Sequence, residues 1–294
     1  MAKETVLKVS EATELLPFLL AHLSGKGRNK IKALLTRRQV MVDDKVTSRH
    51  NYPLVPGQIV TIRVASAEER ESLQGIRLLF EDEHLLVIDK PPGLLSMATD
   101  EERNVTAYHI LRDYLRLTNP RAKVFIVHRL DRETSGVMLF AKSEAVQQAL
   151  QTNWKEAVVE RLYAVVVEGR ITPPQGTIKS WLKESKTKTM YVSKPGDGQL
   201  AVTHYRVIQQ TDEYSLLECR LGTGRKNQIR IHMQSQGHSV VGDKRYGSTH
   251  NPLKRLGLHA NVLTFTHPVT KEELRFETGI PPAFRKLFSK QPPR

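Results

Sequence analysis

Short apolar runs rich in β-branched residues recur from residue 76 to the C-terminus, and they outnumber the helix-like stretches between them. The two kinds do not alternate regularly. The expected fold is therefore α+β, with a mixed or antiparallel sheet. Strands are predicted at 76–80, 85–89, 124–127, 137–141, 162–168, 201–209, 214–221, 256–266 and 271–277. Helices are predicted at 105–117, 143–155, 227–236 and 282–287. Residues 76–294 read as one large domain, with no internal repeat and no low-complexity tract.

Residues 1–65 read as a separate small α/β unit, joined to the rest by a polar linker at 66–75 that carries Glu68, Glu69, Arg70 and Glu71 in a row. Leu15, Leu16, Phe18, Leu19, Leu20 and Leu23 predict a helix over 14–23, with Pro17 in its first turn, where proline is tolerated. Gly25-Lys26-Gly27 ends it. A second helix is predicted over 28–38, with Ile31, Leu34 and Leu35 as its apolar stripe. Val40-Met41-Val42, an Asp43-Asp44-Lys45 turn and Val46 predict a hairpin, and Pro56-Gly57 a turn before a strand at 59–64. This unit holds eleven Lys and Arg against five Asp and Glu, a net of +6.

The whole chain of 294 residues carries a formal net charge of +14 and is 39% hydrophobic. That hydrophobic content suffices for a packed core and argues against disorder. The charge excess points to nucleic acid as a partner, ahead of an anionic membrane. No apolar stretch approaches the roughly 20 residues of a membrane span. The first residues lack the long apolar segment of a signal peptide, so a cytoplasmic location is expected. Cys219 is the only cysteine, which excludes an intrachain disulfide and a Cys-x-x-Cys zinc site. Its strand-like setting predicts a buried, inert thiol.

The string His128-Arg129-Leu130-Asp131-Arg132-Glu133-Thr134-Ser135-Gly136 lies between two predicted strands, in a loop at a sheet end, where rigid scaffolds tend to hold chemistry. An arbitrary Arg-x-Asp-Arg would read as a structural ion pair. The full string is more specific. It resembles the signature of the RluA/RluD-type RNA pseudouridine synthases, matching His-Arg-Leu-Asp and Thr-Ser-Gly without a gap. Other segments agree in order: Asp89-Lys90-Pro91-Pro92-Gly93-Leu94, Glu160-Arg161-Leu162-Tyr163 through Gly169, Thr223-Gly224-Arg225 through His232, and Gly242-Asp243-Lys244-Arg245-Tyr246-Gly247. Residues 14–64 resemble the S-four type (alpha-L) RNA-binding domain of ribosomal proteins.

The resemblance implies an isomerase that breaks the uracil–ribose bond, turns the base and rejoins it through carbon. The substrate it implies is structured RNA, with ribosomal RNA of the large subunit favoured. No redox step or phosphate transfer is involved, so neither cofactor nor metal is expected. Asp131 matches the catalytic aspartate, which could add to the base, attack the sugar or start loss of a ribose proton. Arg129 matches the arginine that fills the gap left by the flipped base; flipping costs a few kcal/mol. His128 is assigned to loop packing or an RNA contact, and Thr134, Ser135 and Gly136 to holding the loop. Tyr163, as bare chemistry a half-buried core tyrosine, matches the one that stacks on the target base.

Arg230 matches the arginine that pairs with the aspartate, and Ile229 or Ile231 lines the pocket. Arg225, Gln228 and His232 support their loop or touch RNA. The Asp89–Leu94 and Gly242–Gly247 segments read as structural by default, with Lys90, Lys244 and Arg245 as candidate phosphate contacts. In the N-terminal unit, Arg28, Asn29, Lys30, Lys32, Arg37 and Arg38 would face RNA. The chain departs from the family pattern at Asn227, where histidine is usual, and altered local bonding is expected there. A monomer is the default. Two other classes compete: a pure RNA-binding protein, and a phosphate-handling enzyme built on Gly222–Arg225, for which Asp243 is the only plausible metal-binding carboxylate.

Overall fold

A computed structural model of the chain describes residues 4–23, 27–36, 39–47, 49–63, 73–98, 105–117 and 119–289. Arg37, Arg38, residues 64–72 of the expected linker region and the side chains of Asn29 and Lys30 lie outside the described residues. The chain divides into two compact units. One comprises Met1–Ile88, Tyr108–Val127 and Leu139–Gln147; the other comprises Asp89–Ala107, His128–Met138 and Gln148–Arg294. No helix among the described residues is long and apolar enough to cross a membrane.

Within the first unit, the N-terminal residues keep a core of their own. Glu4–Lys8, Ile59–Arg63, Val40–Val42 and Lys45–Val46 form a four-stranded antiparallel sheet in that order. Its hairpin turns on Asp43 and Asp44, both at positive φ (47° and 63°), as a two-residue turn matched to strand twist requires. Asp43 also accepts from the Ile59 amide at 2.9 Å and from Gln58 Nε2 at 2.8 Å, which ties the turn to the next strand. The helices Leu15–His22 and Arg28–Thr36 bury Leu15, Phe18, Leu19, Ile31 and Leu35 against Val40, Val60 and Ile62. The strand Glu4–Lys8 is not predicted from sequence; its five residues gain their definition from antiparallel pairing with Ile59–Arg63.

The rest of this unit includes the strand Arg77–Glu81, residues 85–88 of the strand Leu85–Lys90, the helix Ala107–Arg116 from residue 108 on, and residues 144–147 of the helix Glu144–Thr152. The end of the strand Ser135–Ala141 pairs here with Phe125–Ile126. Glu81, buried, accepts from Lys142 Nζ at 2.7 Å and from the Tyr114 hydroxyl at 2.9 Å.

The second unit is built on a sheet of long antiparallel strands. Their order is Met190–Ser193, Gln175–Glu184, Gln199–Gln210, Tyr214–Leu221, Val158–Glu168 and Leu258–Thr266, with Glu273–Glu277 also paired to Leu258–Thr266. One helix, Gln228–Ser235, packs Ile229 and Met233 onto Val165, Val167, Leu217 and Cys219. Burial raises the Cys219 thiol well above its usual range, so it is the inert core thiol expected.

Two strands of this second unit escape the sequence reading. Gln175–Glu184 buries only Ile178 and Leu182, too sparse a pattern to register, and it is held by pairing with Gln199–Gln210. Met190–Ser193 is a short edge on that strand. The helix predicted over 143–155 is two pieces, Glu144–Thr152 and Trp154–Ala157, and the following strand starts at Val158 rather than at 162.

Ser135 and Gly136, expected in a loop, are the first residues of a strand, parallel to His259 and Ala260. Gly136 has φ +116°, and a Cβ there would meet the Ala260 carbonyl oxygen at 2.1 Å. Both conditions demand glycine. Gly136→Ala is expected to destabilise the protein by about 3 kcal/mol or more. Urea unfolding of the two proteins side by side measures the difference.

Candidate active site

Asp131 sits in the turn that leads into Ser135–Ala141, and its flanking backbone is pinned from several directions. The Ser96 hydroxyl donates to the Leu130 carbonyl at 2.7 Å and accepts from the Leu130 amide at 3.2 Å. The Gly93 amide donates to the Arg132 carbonyl at 2.9 Å, and the Thr134 amide to the Asp131 carbonyl at 3.1 Å. After the turn, Arg255 Nη2 donates to Ser135 Oγ at 2.7 Å, and Ser135 Oγ lies 2.7 Å from His259 Nδ1. The main chain is thus fixed while the Asp131 side chain stays 34% exposed.

Lys90 belongs to this frame, which corrects the expectation of a phosphate contact. Its side chain is fully buried, and Nζ donates to the carbonyls of Pro91 (2.9 Å), Leu94 (2.7 Å) and Arg132 (3.0 Å). Burial pulls its amine down to about 7, against the charges of Glu133 and Asp131. With its donors spent on backbone, it has none for RNA.

Arg230 projects from the first turn of the helix Gln228–Ser235. Its Nη1 reaches Asp131 Oδ2 at 3.3 Å, the pairing that the family resemblance implies. Its strong partner is another residue. Nε and Nη2 form a fork on the two oxygens of Asp243, at 2.6 and 2.8 Å, and the Asp243 side chain is 1% exposed. Burial of Arg230 opposes its charge, but Asp243 and then Asp131 outweigh it and raise its pKa. The guanidinium carbon also lies 4.8 Å from the centre of the Tyr246 ring.

Asn227, the departure from the family pattern, supports the same group. It sits at φ +55°, a left-handed conformation that asparagine tolerates better than most residues. Its Oδ1 accepts from Arg230 Nη1 at 3.0 Å and its Nδ2 donates to the Tyr246 hydroxyl at 2.9 Å.

A cleft of about 1180 Å³ opens beside Asp131, with Arg129, Tyr163, Arg225, Ile229 and Arg230 among its walls. Tyr163 reaches it from the strand Val158–Glu168. Burial raises the Tyr163 phenol above its ordinary value; Arg161 opposes this and Asp131 adds to it, so the group is a neutral phenol at neutral pH. Ile229 lines the cleft, whereas Ile231 does not: it is buried among Leu182, Met190, Ala201 and Tyr246 on the other side of its helix. This corrects the pocket assignment of Ile231.

His128 packs its ring on Trp154, centroids 5.1 Å apart, and burial, with help from Arg161, lowers it to about 3. It is neutral, consistent with packing rather than acid–base work. Arg225 Nε donates to the Leu200 carbonyl at 3.1 Å, and Gln228 ties down its loop through Thr223, Val202, Thr203 and the Arg225 amide. Arg129 is exposed at the rim.

Lys244 and Arg245 are exposed but absent from the cleft walls, and Arg245 donates to the Lys188 carbonyl and to Thr189 Oγ1. In the N-terminal unit, Arg28 and Lys32 are exposed on their helix. Sequence reasoning missed Asp243 as the anchor of Arg230, and it missed Trp154 and Arg161 as cleft walls. Only the Gly242–Gly247 segment gave a signal, and it was read as structural.

Removing one member of a buried ion pair strands the other. Asp243→Asn is therefore expected to lower stability by about 3 kcal/mol, measured by chemical denaturation. His232 supplies a pH test. It is fully buried between Ser180 Oγ (2.9 Å) and Thr203 Oγ1 (2.8 Å), and burial lowers it to about 4. Its folded pKa lies below the unfolded value. As pH falls from 6.5 towards 4, the unfolded chain therefore takes up a proton that the folded chain refuses, and stability is lost. Between pH 7 and 5 this amounts to about 2 kcal/mol, which His232→Asn should remove from the measured pH slope.

Comparison with known proteins agrees with this geometry. The family model described as RNA pseudouridylate synthase matches residues 84–235, a span that takes in Asp131, Tyr163 and Arg230. The chain is 35% identical over 241 residues to the uncharacterized RNA pseudouridine synthase YjbO of Bacillus subtilis, covering 81% of this chain and 85% of that one. It is 32% identical over 285 residues to the ribosomal large subunit pseudouridine synthase D of Neisseria meningitidis serogroup A, covering 91% and 75%. A solved structure, human RNA pseudouridylate synthase domain containing 4, superposes with a TM-score of 0.60 at 24% identity, covering 73% of this chain and 92% of that one, and shares the fold. With a pinned aspartate, a fixed arginine and a tyrosine-walled cleft inside the matched span, the chain belongs to the RNA pseudouridylate synthase family and is an isomerase that acts on RNA.

Proposed function

We propose that the protein converts specific uridines of ribosomal RNA, in the large subunit, to pseudouridine, with Asp131 as the nucleophile and no cofactor. The observation that carries this reading is the half-exposed Asp131 carboxylate at the wall of a basic cleft, 3.3 Å from an arginine that is itself fixed by Asp243. The large subunit is favoured because several relatives carry the name ribosomal large subunit pseudouridine synthase D.

In this reading the target uridine leaves its stack, Arg129 takes its place, and the base lies on Tyr163. Asp131 carries the glycosyl chemistry while the N1 bond of the base breaks and the C5 bond forms, with the C5 proton released to solvent. Arg230 holds the carboxylate in position. Asp243 does not serve as a metal ligand, because both its oxygens are engaged by Arg230.

Residues 1–65 act as an S-four-like RNA-binding domain, with Arg28, Asn29, Lys30, Lys32, Arg37 and Arg38 on its RNA side. Support comes from the local charge of +6 and the exposure of Arg28 and Lys32. The protein works as a cytoplasmic monomer.

Tritium release from RNA labelled at uridine C5 tests the chemistry. The intact protein should release tritium from large-subunit ribosomal RNA, and Asp131→Asn should lower the rate by at least about 1000-fold while RNA affinity changes less than about threefold. Full turnover by Asp131→Asn would remove Asp131 as the nucleophile. Deleting residues 1–65 should weaken RNA binding and flatten its dependence on salt, while turnover of short substrates persists. An unchanged salt slope would argue against that role for the domain.

A further inference from the structure

The cleft holds a cation that the mechanism above does not use. Arg161 stands two residues before Tyr163 on the strand Val158–Glu168, so the two side chains leave the same face of the sheet, about 7 Å apart along the strand. Both line the cleft. The Arg161 guanidinium is wedged between two supports. On one side its carbon lies 5.9 Å from the centre of the Trp154 ring. On the other its Nη1 rests against the backbone of Gly224, where an added Cβ would sit only 2.6 Å away.

The other charged cleft residues are either partnered or exposed. Lys226 pairs with Glu184, Glu160 lies near Arg275, and Arg230 pairs with Asp243 and Asp131. Arg225 donates to the Leu200 carbonyl, and Arg129, Lys155 and Arg220 are solvent-exposed, whereas Arg161 is half-buried. Among the described residues no carboxylate lies within ion-pair distance of Arg161. A half-buried guanidinium that is oriented but uncompensated fits an anion that arrives with the substrate. In RNA that anion is a backbone phosphate.

We propose that Arg161 binds the RNA phosphate adjacent to the uridine that stacks on Tyr163, and so sets the depth to which the flipped nucleotide enters. This rests on the reading that the target base lies on Tyr163.

The test uses the full chain and a single-stranded oligouridylate as the binding probe, over a series of salt concentrations. Arg161→Gln should flatten the log–log salt slope by about 0.7, the value for one phosphate contact on a single strand. Arg161→Lys, which keeps the charge, should retain most of the slope, and Trp154→Phe all of it. In tritium release from large-subunit ribosomal RNA, Arg161→Gln should raise KM several-fold with kcat within about twofold.

A wild-type salt slope in Arg161→Gln overturns the proposal even if turnover falls, since Arg161 would then serve only to support Trp154 or Tyr163. Should Arg161→Gln fold poorly, arginine-selective modification of the wild-type protein decides instead. Protection of Arg161 by oligouridylate supports the contact, and equal modification with and without it overturns it. Failure of the isomerase reading is visible separately, as absence of tritium release from the wild type, and leaves the slope comparison to decide Arg161 alone.

Discussion

The fork between Asp243 and Arg230 is the interaction on which the site depends. A buried carboxylate without a partner would be expensive to maintain, and a buried guanidinium equally so. Together, with both Asp243 oxygens met by paired donors, they form a rigid planar unit inside the protein. Only the third nitrogen of Arg230 is left to face Asp131. The Asp131 carboxylate therefore meets a cation whose position is fixed by a partner other than itself. A side chain with such freedom on a surface would lose much of this interaction to solvent and to rotamer entropy.

The second requirement is a turn that holds its backbone while leaving its side chain open. Around Asp131 the holding groups are Ser96, Gly93, Lys90 and, through Ser135, Arg255 and His259. These groups spend their hydrogen bonds on main-chain atoms, on one another or, for His259, on Thr278, and none of these bonds is to the Asp131 carboxylate. Gly136 makes the arrangement possible from below, since the Ala260 backbone approaches too closely for any side chain. The position of Asp131 is thus set by backbone contacts, a general condition for holding a side chain precisely on a loop.

Asn227 shows how a departure from the usual family residue is absorbed. Its backbone turns through a left-handed conformation into the helix, and its amide bridges Arg230 and Tyr246. Tyr246 also lies beneath the Arg230 guanidinium. Local bonding differs from the expected pattern in identity, but the arginine is held on every side.

Much was legible in the sequence because it depends on local order. The α+β character, the strand Tyr214–Leu221, the helix beginning near residue 228 and the turn at Asp43-Asp44 follow from periodicity and turn chemistry. Asp131, Tyr163 and Arg230 were named from short ordered strings, and all three line one cleft. What only the tertiary structure decided concerns partners distant in sequence. Asp243 lies 13 residues from Arg230, and Arg230 lies 99 from Asp131, so no local pattern could rank the first pairing above the second. Lys90, a candidate phosphate contact in a segment read as structural, is a buried strut, because burial is set by what packs over a residue. Ile229 and Ile231 are equivalent in sequence, yet the pitch of a helix turns two such positions to different sides. One therefore faces the cleft and the other the core.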